Sequence, residues 1–294
     1  MISPITPGTC RVGSGDRAVE IGADSPLCLI GGPCTLESME LGLEIGTTLR
    51  DACRAVGIAY VFKASFDKAN RSSVASARGP GLELGLGWLS EIGERLGVPV
   101  TTDLHEPAQA GLVAESVDLL QIPAFLCRQT DLLIAAGEAA ESRGRGVSVK
   151  KGQFLSPREM GGPVRKLQES GCANLMLIER GTFFGYHRLV NDFVGLGDLM
   201  ELDCRAFGRE TSPPVCFDVT HSTQLPGSGE QTGGRPERGP LLARAAVAAG
   251  VPAVFIEAHP EPSSAVSDAA TQMPLGDVPK LLGELASIRG AIAG

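Results

Sequence analysis

The stretch LIGGPCTLES, residues 29–38, is an apolar run that halts at two glycines, a proline and a cysteine, with a helical stretch beginning directly after. A short apolar run closed by Gly and Pro reads as a buried strand. The thiol is the odd feature. A structural cysteine ordinarily sits inside an apolar run, whereas one at the mouth of a strand can touch a ligand or a metal. The same unit then repeats along the chain. Candidate strands lie at 27–34, 59–66, 99–105, 118–125, 147–154, 175–181, 215–222 and 253–260, mostly apolar in the first half with polar residues in the second. Stretches rich in Ala, Leu, Glu and Arg lie between them, near 36–55, 81–96, 106–115, 129–142, 157–170, 190–203 and 237–250, with a last one near 275–290. Eight strand–helix cycles in 294 residues predict an α/β fold, a (β/α)8 TIM barrel over residues 27–294. A doubly wound open sheet is the alternative, but no G-x-G-x-x-G opens the first helix. Residues 1–26, rich in Gly, Ser and Pro, read as a short N-terminal hairpin or arm on this single domain.

A formal charge of −8 gives no reason to expect nucleic acid or an anionic membrane as a partner. An acidic protein that handles anions must gather its Lys and Arg locally. Eight scattered cysteines without a C-x-x-C pair, no charged-then-apolar leader and no apolar run of spanning length read as a reduced, cytoplasmic chain.

On a barrel the C-terminal ends of the strands form the catalytic face. Lys63, Asp103, His105, Gln121, Lys150, Gln153, Arg180, His221 and Glu257 all fall in the second half of a strand or just past it. Core packing gives no reason for that bias. Strands seven, eight and one are neighbours once the barrel closes, so Cys34, His221, Glu257 and Asp268 meet there. A thiolate, an imidazole and two carboxylates suit Fe2+, Zn2+, Co2+ or Mn2+; a buried thiol, a structural histidine and two solvated carboxylates are the plainer reading. KASFDKANRSS, residues 63–73, sets Lys63, Lys68 and Arg71 among Ser65, Asn70 and Ser72, an anion site or an exposed basic loop. Lys150, Lys151, Gln153 and Arg180 add cations after strands five and six, and Arg128 lies past strand four. One inward lysine could instead be a Schiff-base nucleophile. His105 and His259 are possible acid–base groups or merely structural, and the Gly-rich connection 222–239 is a possible lid.

The motifs VFKASFDKANRSS, RGPGLE, TDLHEP, QIPAFLCRQTDL, VKKGQF, FDVTHS and FIEAHPEP, ordered over nearly the whole chain, closely resemble the 3-deoxy-D-manno-octulosonate 8-phosphate synthases, also called 2-dehydro-3-deoxyphosphooctonate aldolases. The resemblance implies a homotetrameric barrel that condenses phosphoenolpyruvate with D-arabinose 5-phosphate and releases phosphate, a step towards lipopolysaccharide. On matching positions it implies Lys63, Lys68, Lys150, Arg180, Ser65, Gln121 and Gln153 around phosphoenolpyruvate. Asn70, Arg71 and Ser72 would hold the pentose phosphate, Asp103 its hydroxyls, and Arg128 would reach that phosphate from a neighbouring subunit. Lys63, Lys68, Asp103, Lys150 and His221 are the catalytic candidates. Members of this family that need no metal carry Asn where this chain has Cys34, so the resemblance implies the metal-dependent class, with Cys34, His221, Glu257 and Asp268 as ligands. Gly152 departs from the pattern, since many relatives have Pro there. The 3-deoxy-D-arabino-heptulosonate 7-phosphate synthases share the GPC feature but normally carry a KPRTS-like loop in place of KANRSS.

Overall fold

The computed structural model describes residues 5–69, 78–226 and 233–292. Eight parallel strands form its centre: β1 (Cys28–Gly32), β2 (Ala59–Lys63), β3 (Val100–Asp103), β4 (Leu119–Ile122), β5 (Gly146–Lys150), β6 (Leu175–Glu179), β7 (Val215–Asp218) and β8 (Ala253–His259). Each pairs with the next in chain order, and β8 also pairs with β1, so the sheet closes on itself. A helix follows every strand: α1 (Met39–Val56), α2 (Leu82–Leu96), α3 (Ala110–Ser116), α4 (Thr130–Arg143), α5 (Gly161–Glu169), α6 (Phe193–Met200), α7 (Gly239–Ala248) and α8 (Val278–Ile292). The eight cycles expected from the sequence are all present, with ends trimmed by a few residues.

The first cycle shows why the sequence folds this way. Gly32 must be glycine because a Cβ there would lie 1.9 Å from the Lys63 carbonyl oxygen on β2. The Ser38 side chain accepts from the Leu41 backbone N–H at 3.1 Å and starts α1. Gly57, in the left-handed conformation at φ 71°, ends it. Gly42, Ile45, Gly46, Leu49 and Cys53 form the buried face of α1, at helical spacing.

Side chains alternate along each strand. Outward residues such as Leu29, Phe62, Leu120 and Val254 join the helices in one continuous apolar layer. Inward residues at the N-terminal end, among them Cys28, Ile30, Val61, Leu119, Met176, Cys216 and Phe255, make a second core inside the barrel. The N-terminal segment pairs Cys10–Val12 with Val19–Ile21 in an antiparallel hairpin, and Cys10, Val12 and Ile21 join this inner core from below. The hairpin thus plugs the end of the barrel opposite the polar strand ends.

Candidate active site

Continuing along the same inward positions, most strands turn from apolar to polar one step beyond the inner core, Thr101 and Ser148 being polar already. Ile30 leads to Gly32 and Cys34, Val61 to Lys63, Thr101 to Asp103, Leu119 to Gln121, Ser148 to Lys150, Ile178 to Arg180, Cys216 to Asp218 and Phe255 to Glu257. The period-2 rule therefore converges these side chains on one end of the barrel. They surround a cavity of about 390 Å³, whose walls include Lys63, Ser65, Lys68, Asp103, Gln121, Lys150, Gln153, Arg180, His221, Glu257 and Asp268. That volume is in the range of small-molecule sites, ~300–1,000 Å³.

Four ligand-type groups meet at the β8–β1–β7 side. Cys34 Sγ lies 3.3 Å from Asp268 Oδ2. His221 Nε2 lies 3.7 Å from Glu257 Oε2 and 3.8 Å from Asp268 Oδ2. Donor atoms of Cys34, Glu257 and Asp268 fall within 4.8 Å of one another. Glu257 Oε2 is buried and, among the described residues, has no hydrogen-bond partner. An unpartnered carboxylate oxygen beside a thiol and an imidazole is what a divalent ion would satisfy, so the residues fit such an ion. Asp268 has φ 48°, unusual for a non-glycine residue, and its carbonyl is capped by the Thr271 and Gln272 N–H groups. The Gln272 side chain in turn accepts from the Cys34 N–H at 3.2 Å, tying the two loops together.

Each of these groups is held from behind. Lys63 Nζ donates to Glu257 Oε1 at 2.5 Å and to the Cys34 carbonyl at 2.9 Å, while Thr220 Oγ1 accepts the Glu257 N–H at 2.8 Å. His221 Nδ1 faces Asp218 Oδ2 at 2.8 Å, and Lys150 Nζ donates to the same oxygen at 2.7 Å. Lys150 Nζ also lies 3.8 Å from the centroid of the Phe255 ring. Burial would raise the Glu257 carboxyl, but Lys63, His221, Lys68 and Lys150 outweigh it and hold the group below the ordinary carboxylate range. Asp218 is likewise held down against burial, chiefly by His221 and Lys150. Burial, reinforced by Glu257, pushes the Cys34 thiol far up.

The rest of the cavity lining carries the remaining candidates. Lys68 Nζ donates to Ser65 Oγ at 2.9 Å, and Arg180 donates to the His221 carbonyl and the Gln224 side chain. Asp103 Oδ2 is 3.0 Å from His105 Nε2. Its Oδ1 and Gln153 Oε1 are buried without a partner among the described residues. Burial would raise the Asp103 carboxyl, but the His105 contact and Lys68 leave it well below the ordinary range.

Some expected residues stand elsewhere. Lys151 turns away from the cavity and is buried against Glu179 at 3.5 Å and Thr182 at 3.2 Å. His259 accepts the Glu261 N–H and faces Glu37, away from the cavity, and His105 serves Asp103 from behind. Arg128 is exposed on the outside of this chain. Asn70, Arg71 and Ser72 lie outside the described residues. The connection after β7 pairs Gln224–Leu225 with Gly233–Gly234, and its middle also lies outside them. Sequence reasoning missed Asp218, although its place two residues after inward Cys216 and three before His221 was the available signal.

The profile of the DAHP synthetase I family matches residues 5–290. A 2-dehydro-3-deoxyphosphooctonate aldolase from Desulfotalea psychrophila is 47% identical over 92% of this chain and 93% of its own. Proteins of the same name from a Cyanothece species and a Synechococcus species are 49% and 48% identical. They cover 94% and 96% of this chain, and 96% and 95% of their own.

Proposed function

The chain belongs to the DAHP synthetase I family, among relatives named 2-dehydro-3-deoxyphosphooctonate aldolase, and we propose on that footing that it condenses phosphoenolpyruvate with D-arabinose 5-phosphate and water, giving 3-deoxy-D-manno-octulosonate 8-phosphate and phosphate for lipopolysaccharide precursors. The observation that carries this reading is the single cavity in which Lys63, Lys68, Lys150 and Arg180 converge beside Cys34, His221, Glu257 and Asp268. These four cations face the carboxylates Asp103, Glu257 and Asp268 on the wall and Asp218 directly behind it, so the described part of the site has no large surplus of charge. A divalent ion (Fe2+, Zn2+, Mn2+ or Co2+) held by Cys34, His221, Glu257 and Asp268 would tip it positive, as two anionic substrates require. When bound, that ion supplies Lewis acidity toward an oxygen atom.

The chain's own residues account for the rest. Lys63, Lys68, Lys150 and Arg180, with Ser65, Gln121 and Gln153, hold the phosphate and carboxylate of phosphoenolpyruvate. Asp103 accepts from the pentose hydroxyls, with Asn70, Arg71 and Ser72 at its phosphate. Holding the two anions in contact lets C3 of the enol reach the aldehyde carbon while water adds at C2, and the C–O bond to phosphate then breaks; this is an orientation effect. Lys63 and Lys150 are both ion-paired, which argues against a neutral Schiff-base amine. A homotetramer would cover the exposed Phe184 and Tyr186 side chains, 98% and 92% accessible in one chain, and would bring Arg128 of one subunit to the site of another. Light scattering on the purified protein checks this, and a monomer would refute it. Unpaired cysteines fit a cytoplasmic enzyme, and among the described residues no helix is long and apolar enough to cross a membrane.

The test is phosphate release from phosphoenolpyruvate with arabinose 5-phosphate or erythrose 4-phosphate, before and after chelation and metal add-back. Turnover with the pentose phosphate alone, lost on chelation and regained with a divalent ion, is the expected result. In Cys34→Ala, metal content and activity should fall together. Preference for the tetrose would overturn the substrate, and full activity after verified metal removal would overturn the role of the ion.

A further inference from the structure

Asp218 has no accessible surface and stands one layer behind the cavity wall. It nevertheless contacts both halves of the site. Its Oδ1 accepts the His221 backbone N–H at 2.9 Å, fixing the turn that carries the imidazole. Its Oδ2 takes His221 Nδ1 at 2.8 Å and the Lys150 ammonium at 2.7 Å. We propose that Asp218 is a positioning residue that fixes His221 as an Nε2 ligand and at the same time anchors Lys150 for the anionic substrate. The proposal rests on the reading of Cys34, His221, Glu257 and Asp268 as a divalent-ion site.

Distance decides which nitrogen keeps the imidazole proton. Carboxylates face both sides of the ring, but Asp218 is 2.8 Å from Nδ1, whereas Glu257 and Asp268 are 3.7 and 3.8 Å from Nε2. A hydrogen bond forms at the first distance and not at the others. The proton therefore stays on Nδ1, and the bare Nε2 lone pair points at Glu257 and Asp268, as a metal ligand must. Lys150 raises the need for this carboxylate, because its Nζ is only 3.4 Å from Nδ1. An unneutralised ammonium there would repel the Nδ1–H and weaken the ring as a donor to a cation. One buried carboxylate thus makes a substrate-binding cation and a metal-binding histidine compatible at close range.

The experiment titrates Co2+ into the full-length, metal-stripped protein, following the thiolate-to-cobalt and ligand-field absorption, for the wild type and for Asp218→Asn. The asparagine keeps the shape and removes the charge. Expected is about a 10–100-fold loss of Co2+ affinity, with a raised KM for phosphoenolpyruvate in the ion-saturated variant. A variant that keeps the wild-type circular dichroism spectrum and binds Co2+ as tightly as the wild type overturns the proposal. A wild type that binds no Co2+ overturns instead the ion reading beneath it. If Asp218→Asn fails to fold, nitrogen NMR of the Zn2+-loaded wild type decides. Only four histidines are present, and the His221 signal is assigned by its loss in His221→Gln. A protonated Nδ1 with a bare, metal-bound Nε2 supports the proposal, and the reverse pattern overturns it.

Discussion

Cys34 lies two residues beyond β1, at the end of the barrel where inward side chains turn polar, and its surroundings set its proton. Burial and the neighbouring Glu257 disfavour the thiolate, so the metal-free protein carries a thiol at neutral pH. A divalent ion takes the thiolate, and its binding must expel that proton. Affinity should therefore rise with pH, by about tenfold per unit for one proton released. Metal-binding titrations between pH 6 and 8 check this; an affinity independent of pH would mean that Cys34 is not a ligand. The same scale shows what alternation decides. Lys150 and Lys151 are adjacent in sequence, yet one reaches the cavity and the other is buried against Glu179. Successive side chains point to opposite sides, so their different fates were legible in the period. The shared use of Asp218 by His221 and Lys150 was not, because it depends on β5 and β7 approaching across the barrel.

Among the elements, β1 carries the tightest constraint. Gly32, two residues before Cys34, is needed where the strand presses on β2, since a methyl there would overlap the Lys63 carbonyl. Gly32→Ala should force the strands apart. The loss in stability should reach at least the ~1–3 kcal/mol of ordinary overpacking, measured by urea denaturation. Because Lys63 and Cys34 flank that contact, metal affinity should fall too. An alanine variant as stable as the wild type would show that the strands can separate freely there. Element boundaries were legible from apolar runs closed by Gly, Pro and polar residues. Their ends differ by a few residues because the last residues of several expected strands, such as His105 and Phe125, lie past the hydrogen-bonded ladder, with Phe125 at the cavity wall.

For the molecule as a whole, the site's carboxylates link stability to pH. Asp103, Asp218 and Glu257 all have folded values below their ordinary ones, each because nearby His or Lys groups outweigh the cost of burial. The unfolded chain therefore binds more protons as the pH falls. Their stabilising contribution is complete above the unfolded carboxylate values near ~4 and is lost progressively below them. Urea midpoints of the metal-free protein from pH 7 to 3 should be steady at first and then fall below about pH 4.5; a midpoint unchanged at pH 3 would contradict these shifts. Periodicity and residue type are local properties, and they suffice to specify the repeating strand–helix unit, its eightfold count and the polar end of most strands. It also carried the family's motifs. Closure of β8 on β1 is what brings Cys34, 220 residues and more from Glu257 and Asp268, into one cluster. The packed fold alone settles which strand-end groups share partners, that His259 faces away from the cavity, and that the N-terminal hairpin plugs the barrel from below. Those outcomes depend on distances between segments remote in sequence, which no local pattern encodes.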